Sequence, residues 1–264
     1  MEHLNNLKKE IQSLENKEKA KIMQGFFKTG RGQYGEGDVF LGLTVPESRA
    51  LAKKYSALSY EEIRLLLESK IHEERLIALL MLVNNYQKNK EKQEEIYNFY
   101  LSNSKRINNW DLVDLTADKI MGNYLFDKPK DILYRLAKSE NIWERRISII
   151  STFHFIKNNS FDDTLSIAKI LLGDKHDLIH KAVGWMLREV GKRDMEKEEQ
   201  FLKEHYKKIP RTALRYAIEK FPENKRQYYL RGKVESKEHK KDHFGALKDI
   251  GKWDRKKDRA EDRY

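Results

Sequence analysis

The chain has 264 residues, with 53 Lys and Arg against 42 Asp and Glu, and so carries a formal net charge of +11. An excess of that size favours polyanionic partners, nucleic acid before anionic membrane. There is no cysteine, which excludes disulfides, thiolate metal centres and thiol nucleophiles. The eight histidines have no HExxH or other ligand spacing, so neither a metal nor a cofactor is expected. The N-terminal MEHLNNLKKEIQ lacks the apolar core of a signal peptide, and no apolar run approaches the roughly 18 residues of a membrane span. A cytoplasmic protein without membrane contact is expected.

Only four prolines occur, and Leu, Ile, Lys and Glu are abundant, which favours helix. In chain order the patterns predict helices over 3–15, 17–28, 46–56, 60–69, 72–88, 90–103, 109–124, 129–138, 142–157, 161–172, 176–191, 195–206, 210–220 and 223–230. Ser59-Tyr60-Glu61-Glu62 reads as a capping box. Pro46, Pro129 and Pro210 suit first-turn positions, and Gly173 and Gly191 suit helix ends. HEERLIALLML (72–82), NNWDLVDLTAD (108–118), IWERRISIIST (142–152) and LIHKAVGWMLR (178–188) begin about 35 residues apart, near the range of paired-helix solenoids. The expected fold is all-α: a HEAT-like or ARM-like helical-repeat solenoid with a concave face. It occupies residues 1–231, with a glycine-rich insertion at 29–45 and a charged tail at 232–264.

Gly30-Arg31-Gly32-Gln33-Tyr34-Gly35 matches GxGxxG literally. A dinucleotide fingerprint needs a strand before it and a helix opening within it, and neither is predicted here. A surface loop is expected, with Arg31 able to approach a phosphate.

Three helices carry polar groups on or beside apolar faces. In 109–124, Trp110, Val113, Ala117, Ile120, Met121 and Tyr124 share one face, and Asp114 lies at its edge beside Trp110. A carboxylate there is costly to desolvate unless it is paired. Asp111, in the first turn, suits the helix dipole and reads as structural. In 142–157, Arg146 falls inside the arc of Trp143, Ile147, Ile150, Phe153 and His154, and wants an anion, either a protein carboxylate or a phosphate. His154 reads as a hydrogen-bonded core histidine. In the helix from 176, Trp185 points away from the Ile179–Val183–Met186–Leu187–Val190 face and shares its own side with Lys181, Gly184 and Arg188. That combination suits a sugar–phosphate backbone, or else a tryptophan covered by basic stems. On a solenoid these groups line one surface.

NNWDLVDLTA, WERRISII and IHKAVGWMLRE, with FLGLTVPESRALAK at 40–53, resemble the AlkD-like DNA alkylation-repair family, HEAT-like-repeat DNA glycosylases, over about residues 18–230. The resemblance implies excision of cationic N3- or N7-alkylated purines (3-methyladenine and 7-methylguanine type) from double-stranded DNA in base-excision repair. It implies Asp114 as the catalytic carboxylate, with Trp110 and Trp185 cradling the deoxyribose. Arg146 and Arg188 would lie at the DNA backbone, with Lys181 and Arg31 as further basic contacts. A monomer with no obligate protein partner is expected. The GRGQYGEGDVF stretch is longer than in the best-understood members and points to another branch, and some branches bind bent or branched DNA without cutting. The family's early tyrosine has no single counterpart: Phe26, Phe27 or Tyr34 stands near it.

Overall fold

The computed structural model describes residues 1–232 and Val234. The charged tail expected at 232–264 therefore lies outside the described residues, apart from Gly232 and Val234. The helices are α1 (Glu2–Ser13), α2 (Lys17–Phe26), α3 (Val45–Lys54), α4 (Tyr60–Leu67), α5 (His72–Lys88), α6 (Gln93–Ser102), α7 (Trp110–Asp114), α8 (Asn123–Leu125), α9 (Asp131–Leu136), α10 (Ile142–Lys157), α11 (Asp162–Leu171), α12 (Asp177–Gly191), α13 (Met195–His205), α14 (Arg211–Ala217) and α15 (Glu223–Leu230). No helix among the described residues is long and apolar enough to cross a membrane.

The fold is an all-α stack of helix pairs. α3, α5, α7, α10, α12 and α14 pack on one another in succession, and α4, α6, α9, α11 and α13 back them as a second layer. One apolar core runs between the layers from Leu4 to Tyr229. α5 is central, with every residue from His72 to Val83 buried. The Ser59–Glu62 capping box opens α4, and a second box, Thr44–Glu47, opens α3 with Pro46 in its first turn. Pro129 and Pro210 instead fall before their helices, with Lys130 and Pro210 as the capping residues.

The helix expected over 109–124 is not continuous. α7 ends at Asp114, and Asp118–Gly122 forms a π turn in which the Gly122 amide reaches the Ala117 carbonyl at 2.9 Å. Side chains occupy carbonyls at the break. Thr116 Oγ1 donates to Leu112 O at 2.5 Å, and Lys119 Nζ donates to Leu115 O at 2.6 Å. Helix packing gives the reason for the glycine: a Cβ on Gly122 would stand 2.1 Å from the Ser151 carbonyl on α10.

The insertion at 29–45 divides in two. Gly30–Gly37 is a mostly exposed turn. Beyond it, Val39 bridges Ile71. The amides of Leu41, Gly42 and Leu43 then converge on the Glu73 carboxylate, the shortest contact being 2.8 Å from Gly42. The expected loop is thus tied down in its second half by a buried acid at the start of α5.

Candidate functional site

Trp110 opens α7, where Asn109 caps its amide at 2.8 Å. The indole lies flat on Phe27, with ring centres 5.0 Å apart and planes at 12°. Phe27 stacks on Phe40 and Phe40 on His72, so four rings form a continuous pile. Phe26 meets the Trp110 edge at 5.8 Å and is itself 64% exposed.

Behind the pile is a buried polar network. His72 Nε2 lies 2.8 Å from Asp111, its Nδ1 lies 3.3 Å from Asp38, and Arg75 reaches Asp38 at 2.7 Å. Asn109 Nδ2 also donates to Asp38. Burial alone would lower the His72 pKa, but Asp111 and Asp38 outweigh it and raise the value to about 9, so the imidazole is a cation at neutral pH. Burial likewise works to raise Asp38, and its bonds to His72 and the charge of Arg75 hold it below the ordinary carboxylate range. Asp111 is structural as expected, but through His72 as well as through the helix start. The rest of this network went unread. Its signal was HEER, four polar residues opening a helix that continues LIALLMLV.

Asp114 points to α10. Arg146 grips both of its oxygens, Nε at 2.8 Å and a terminal nitrogen at 2.7 Å, and its other terminal nitrogen donates to Leu178 O. The side chains are 15% and 6% exposed, so the acid keeps an opening and the guanidinium does not. Burial raises the Asp114 pKa, and the charge and hydrogen bonds of Arg146 oppose the rise. Of the two anions open to Arg146, a protein carboxylate or a phosphate, the structure places the carboxylate: three of its N–H donors are bound inside the protein and the side chain is almost wholly buried, which argues against the expected place at the DNA backbone.

Tyr34 comes to the same place from the glycine-rich turn. Its ring meets the Trp143 edge at 6.0 Å. Burial raises the Tyr34 hydroxyl, while the Trp110 indole and the charges of Lys181 and Arg146 act the other way, which brings these groups around one tyrosine. Phe27, by contrast, is the base of the Trp110 pile. Arg31 is exposed at the tip of that turn.

The α12 group is arranged differently from expectation. Trp185 is half-buried, with Phe153 at 5.7 Å and its Nε1 donating to Glu189 at 3.2 Å. Arg188 pairs with Glu219 and, at 3.6 Å, with Glu189. Lys181 pairs with Asp177 at 2.9 Å and stays 40% exposed. Arg188, expected at the DNA backbone, is thus already neutralised within the protein. Gly184 does not clear space for a nucleic-acid backbone. It is buried where α12 meets α14, and a Cβ there would stand 2.4 Å from Ala213 O. Among the described residues no group of three or more His, Asp or Glu stands where a metal could be held.

A family model for DNA alkylation repair enzymes matches residues 7–221. A solved structure described as a predicted DNA alkylation repair enzyme from Enterococcus faecalis superposes with a TM-score of 0.61 at 20% identity, covering 78% of this chain and 96% of that one. At that identity the likeness concerns the fold. Comparison with curated proteins returned no match. With its helical-repeat fold and a match spanning Trp110, Asp114, Arg146 and Trp185, the chain belongs to the family of DNA alkylation repair enzymes.

Proposed function

We propose that the protein is a DNA glycosylase that excises cationic N3- or N7-alkylated purines from duplex DNA, as in base-excision repair. The observation that carries this reading is the Asp114 carboxylate, held on both oxygens by Arg146 yet still partly open beside Trp110. A single oriented acid suits a reaction in which positive charge moves from the base to the sugar. The bond between C1′ and the purine nitrogen breaks, and its electron pair leaves with the base, cancelling the cationic charge. Water then adds to C1′ and gives its proton to Asp114 or solvent.

Arg146 sets the size of the effect. A carboxylate about 4 Å from the developing charge contributes about 4 kcal/mol at an effective dielectric near 20, and a guanidinium about 7 Å away opposes it by about 2 kcal/mol. The remaining ~2 kcal/mol is worth a factor of about 30 in rate. Further stabilisation comes from aromatic faces: Trp110 and Trp185 each add about 0.5–2 kcal/mol of cation–π attraction to a cationic sugar. Arg146 is a positioning residue. It aims the carboxylate and lowers its proton affinity. The reaction needs no group that reads the base, so selectivity rests on the lesion's own charge.

One observation favours a second reading, a family member that binds bent or branched DNA without cutting: the same guanidinium offsets half of the acid's field. Incubation with methylated duplex DNA, with assay of free 3-methyladenine and 7-methylguanine, separates the two. Release that disappears in Asp114→Asn supports the glycosylase. Junction binding without release supports the binder. No DNA binding at about 100 mM salt would remove both.

A further inference from the structure

With Arg146 and Arg188 neutralised internally, the phosphate contacts of this face must come from other cations. Lys119, in the π turn, has no carboxylate partner among the described residues, and its ammonium touches only the Leu115 carbonyl. It borders a cavity of about 400 Å³ between α5, the π turn and α10, whose walls include Tyr86, Asp118, Asn123, His154 and Lys157. Lys157 crosses the rim, 43% exposed, with Asp118 at 2.9 Å. Arg49 on α3 lies close enough to act on Lys119. Of these cations only Lys157 is paired with Asp118; Arg49 and Lys157 both repel the Lys119 ammonium. Asn123 accepts from Tyr86 through its oxygen, which leaves its amide nitrogen as a further donor, with only a 3.5 Å approach to His154.

Burial lowers the Lys119 pKa, Asp118 alone among its neighbours raises it, and Arg49 and Lys157 lower it further, which an incoming anion would relieve. A chain of side-chain contacts links the rim of the cavity to Trp185. Lys157 Nζ lies 4.1 Å over the Phe153 ring, and Phe153 is 5.7 Å from Trp185. Asp118 lies four residues beyond Asp114, across the break in the helix. At a rise of about 1.5 Å per residue that is about 6 Å, roughly two steps of the 3.4 Å between successive phosphates along the helix axis.

We infer that Lys119 and Lys157 form a subsite for a phosphodiester of the DNA strand, a few nucleotides from the position Asp114 addresses. The π turn is the device that makes it. A continuous helix would use the Leu115 carbonyl in its own ladder, whereas here that carbonyl anchors the Lys119 ammonium at the cavity. The inference rests on the DNA-binding part of the proposed function and does not require catalysis.

The test uses the full chain and a fluorescent duplex holding a tetrahydrofuran abasic analogue, with affinity measured against salt. Lys119→Gln and Lys157→Gln are each expected to weaken binding about fivefold near 150 mM salt and to reduce the slope of log affinity on log salt by about 0.9. Lys119→Arg restores the slope, and melting curves check that each variant is folded. Neutral methylphosphonates walked along the strand should weaken the wild type at one position at which Lys119→Gln is indifferent. Unchanged slope and affinity in folded Lys119→Gln, or sensitivity retained at every methylphosphonate, overturns the subsite. So does thermal protection by inorganic phosphate that needs Lys119 while DNA affinity does not, which would make the cavity a free-phosphate site. A wild type that binds no DNA overturns the functional reading together with the subsite. Binding with the expected methylphosphonate pattern but no base release overturns only the glycosylase and leaves the subsite standing.

Discussion

The two tryptophans of the site are supported in different ways. Trp110 rests on three stacked rings, and those rest on a buried ion network joining the 38–44 segment, α5 and α7. Trp185 packs on the edge of the main core, meets the Phe153 ring, and donates to Glu189, a carboxylate it shares with Lys192, Arg188 and Arg193. Those cations keep 18–39% of their surface, so the pairs are screened and each is worth about 0–1 kcal/mol. The network behind Trp110 is desolvated, and removing one member strands a buried charge. The wall around Trp110 is thus fixed by buried pairs, whereas the one around Trp185 is held by partly exposed ones.

The largest effect tests what joins the two halves. Arg146→Ala leaves the Asp114 carboxylate without its partner and is expected to cost about 3–5 kcal/mol of stability in urea unfolding. Asp114→Asn keeps one acceptor for Arg146, costs less stability, and abolishes base release. Burial holds Asp114 above its ordinary 3.8 even with Arg146 present, and the proposed reaction needs the carboxylate form. Base release should therefore fall off on the acid side at a pH above 3.8. An acid limb at or below that value would contradict the burial assigned to this group.

His72 tests the rigid wall. Its pKa rises from 6.5 unfolded to about 9 folded, so its contribution is complete below pH 6.5 and is lost as pH climbs through about 9. The shift corresponds to roughly 3 kcal/mol. Melting temperature should decline over that window, and His72→Gln should remove the decline. A flat profile in the wild type would mean that the imidazole is neutral and the network weaker than its geometry implies.

Parallel truncations sharpen the contrast. Trp110→Ala should cost about 2–4 kcal/mol, because the Phe27 face loses its cover. Trp185→Ala should cost about 1 kcal/mol while still reducing base release. Equal losses would mean that both walls are built alike. Smallest of all, Arg188→Ala should change stability by less than about 1 kcal/mol, since its pairs are partly exposed. DNA affinity should barely move, whereas a tenfold loss would return Arg188 to the phosphate backbone.

How much was legible can be read from particular residues. The Ser59–Glu62 box, the amphipathic faces and the near-35-residue spacing are local signals, and the helices starting at 72, 110, 142 and 177 obey them. Asp114 announced itself because an acid at an apolar edge demands a partner, and Arg146 did so for the opposite reason. That the two demands answer each other lay beyond helical-wheel reasoning, since their pairing depends on how α7 and α10 dock. The break after Asp114 was hidden in the same way. Residues 109–124 keep a helical period, but Gly122 must meet the Ser151 carbonyl, and that contact is 29 residues away in the chain. The role of Gly184 was misread for a similar reason, as its neighbour is α14 rather than a ligand.

The sequence by itself determined most of the helices, their order, the repeat spacing and the family, because caps and apolar periodicity act within a few residues. Tertiary structure alone decided which charges face outward. Arg146 and Arg188 are spent on acids from neighbouring helices, while Lys119 is left with a carbonyl. Whether a cation is free depends on the distance to the nearest carboxylate, and that distance is set by packing between layers.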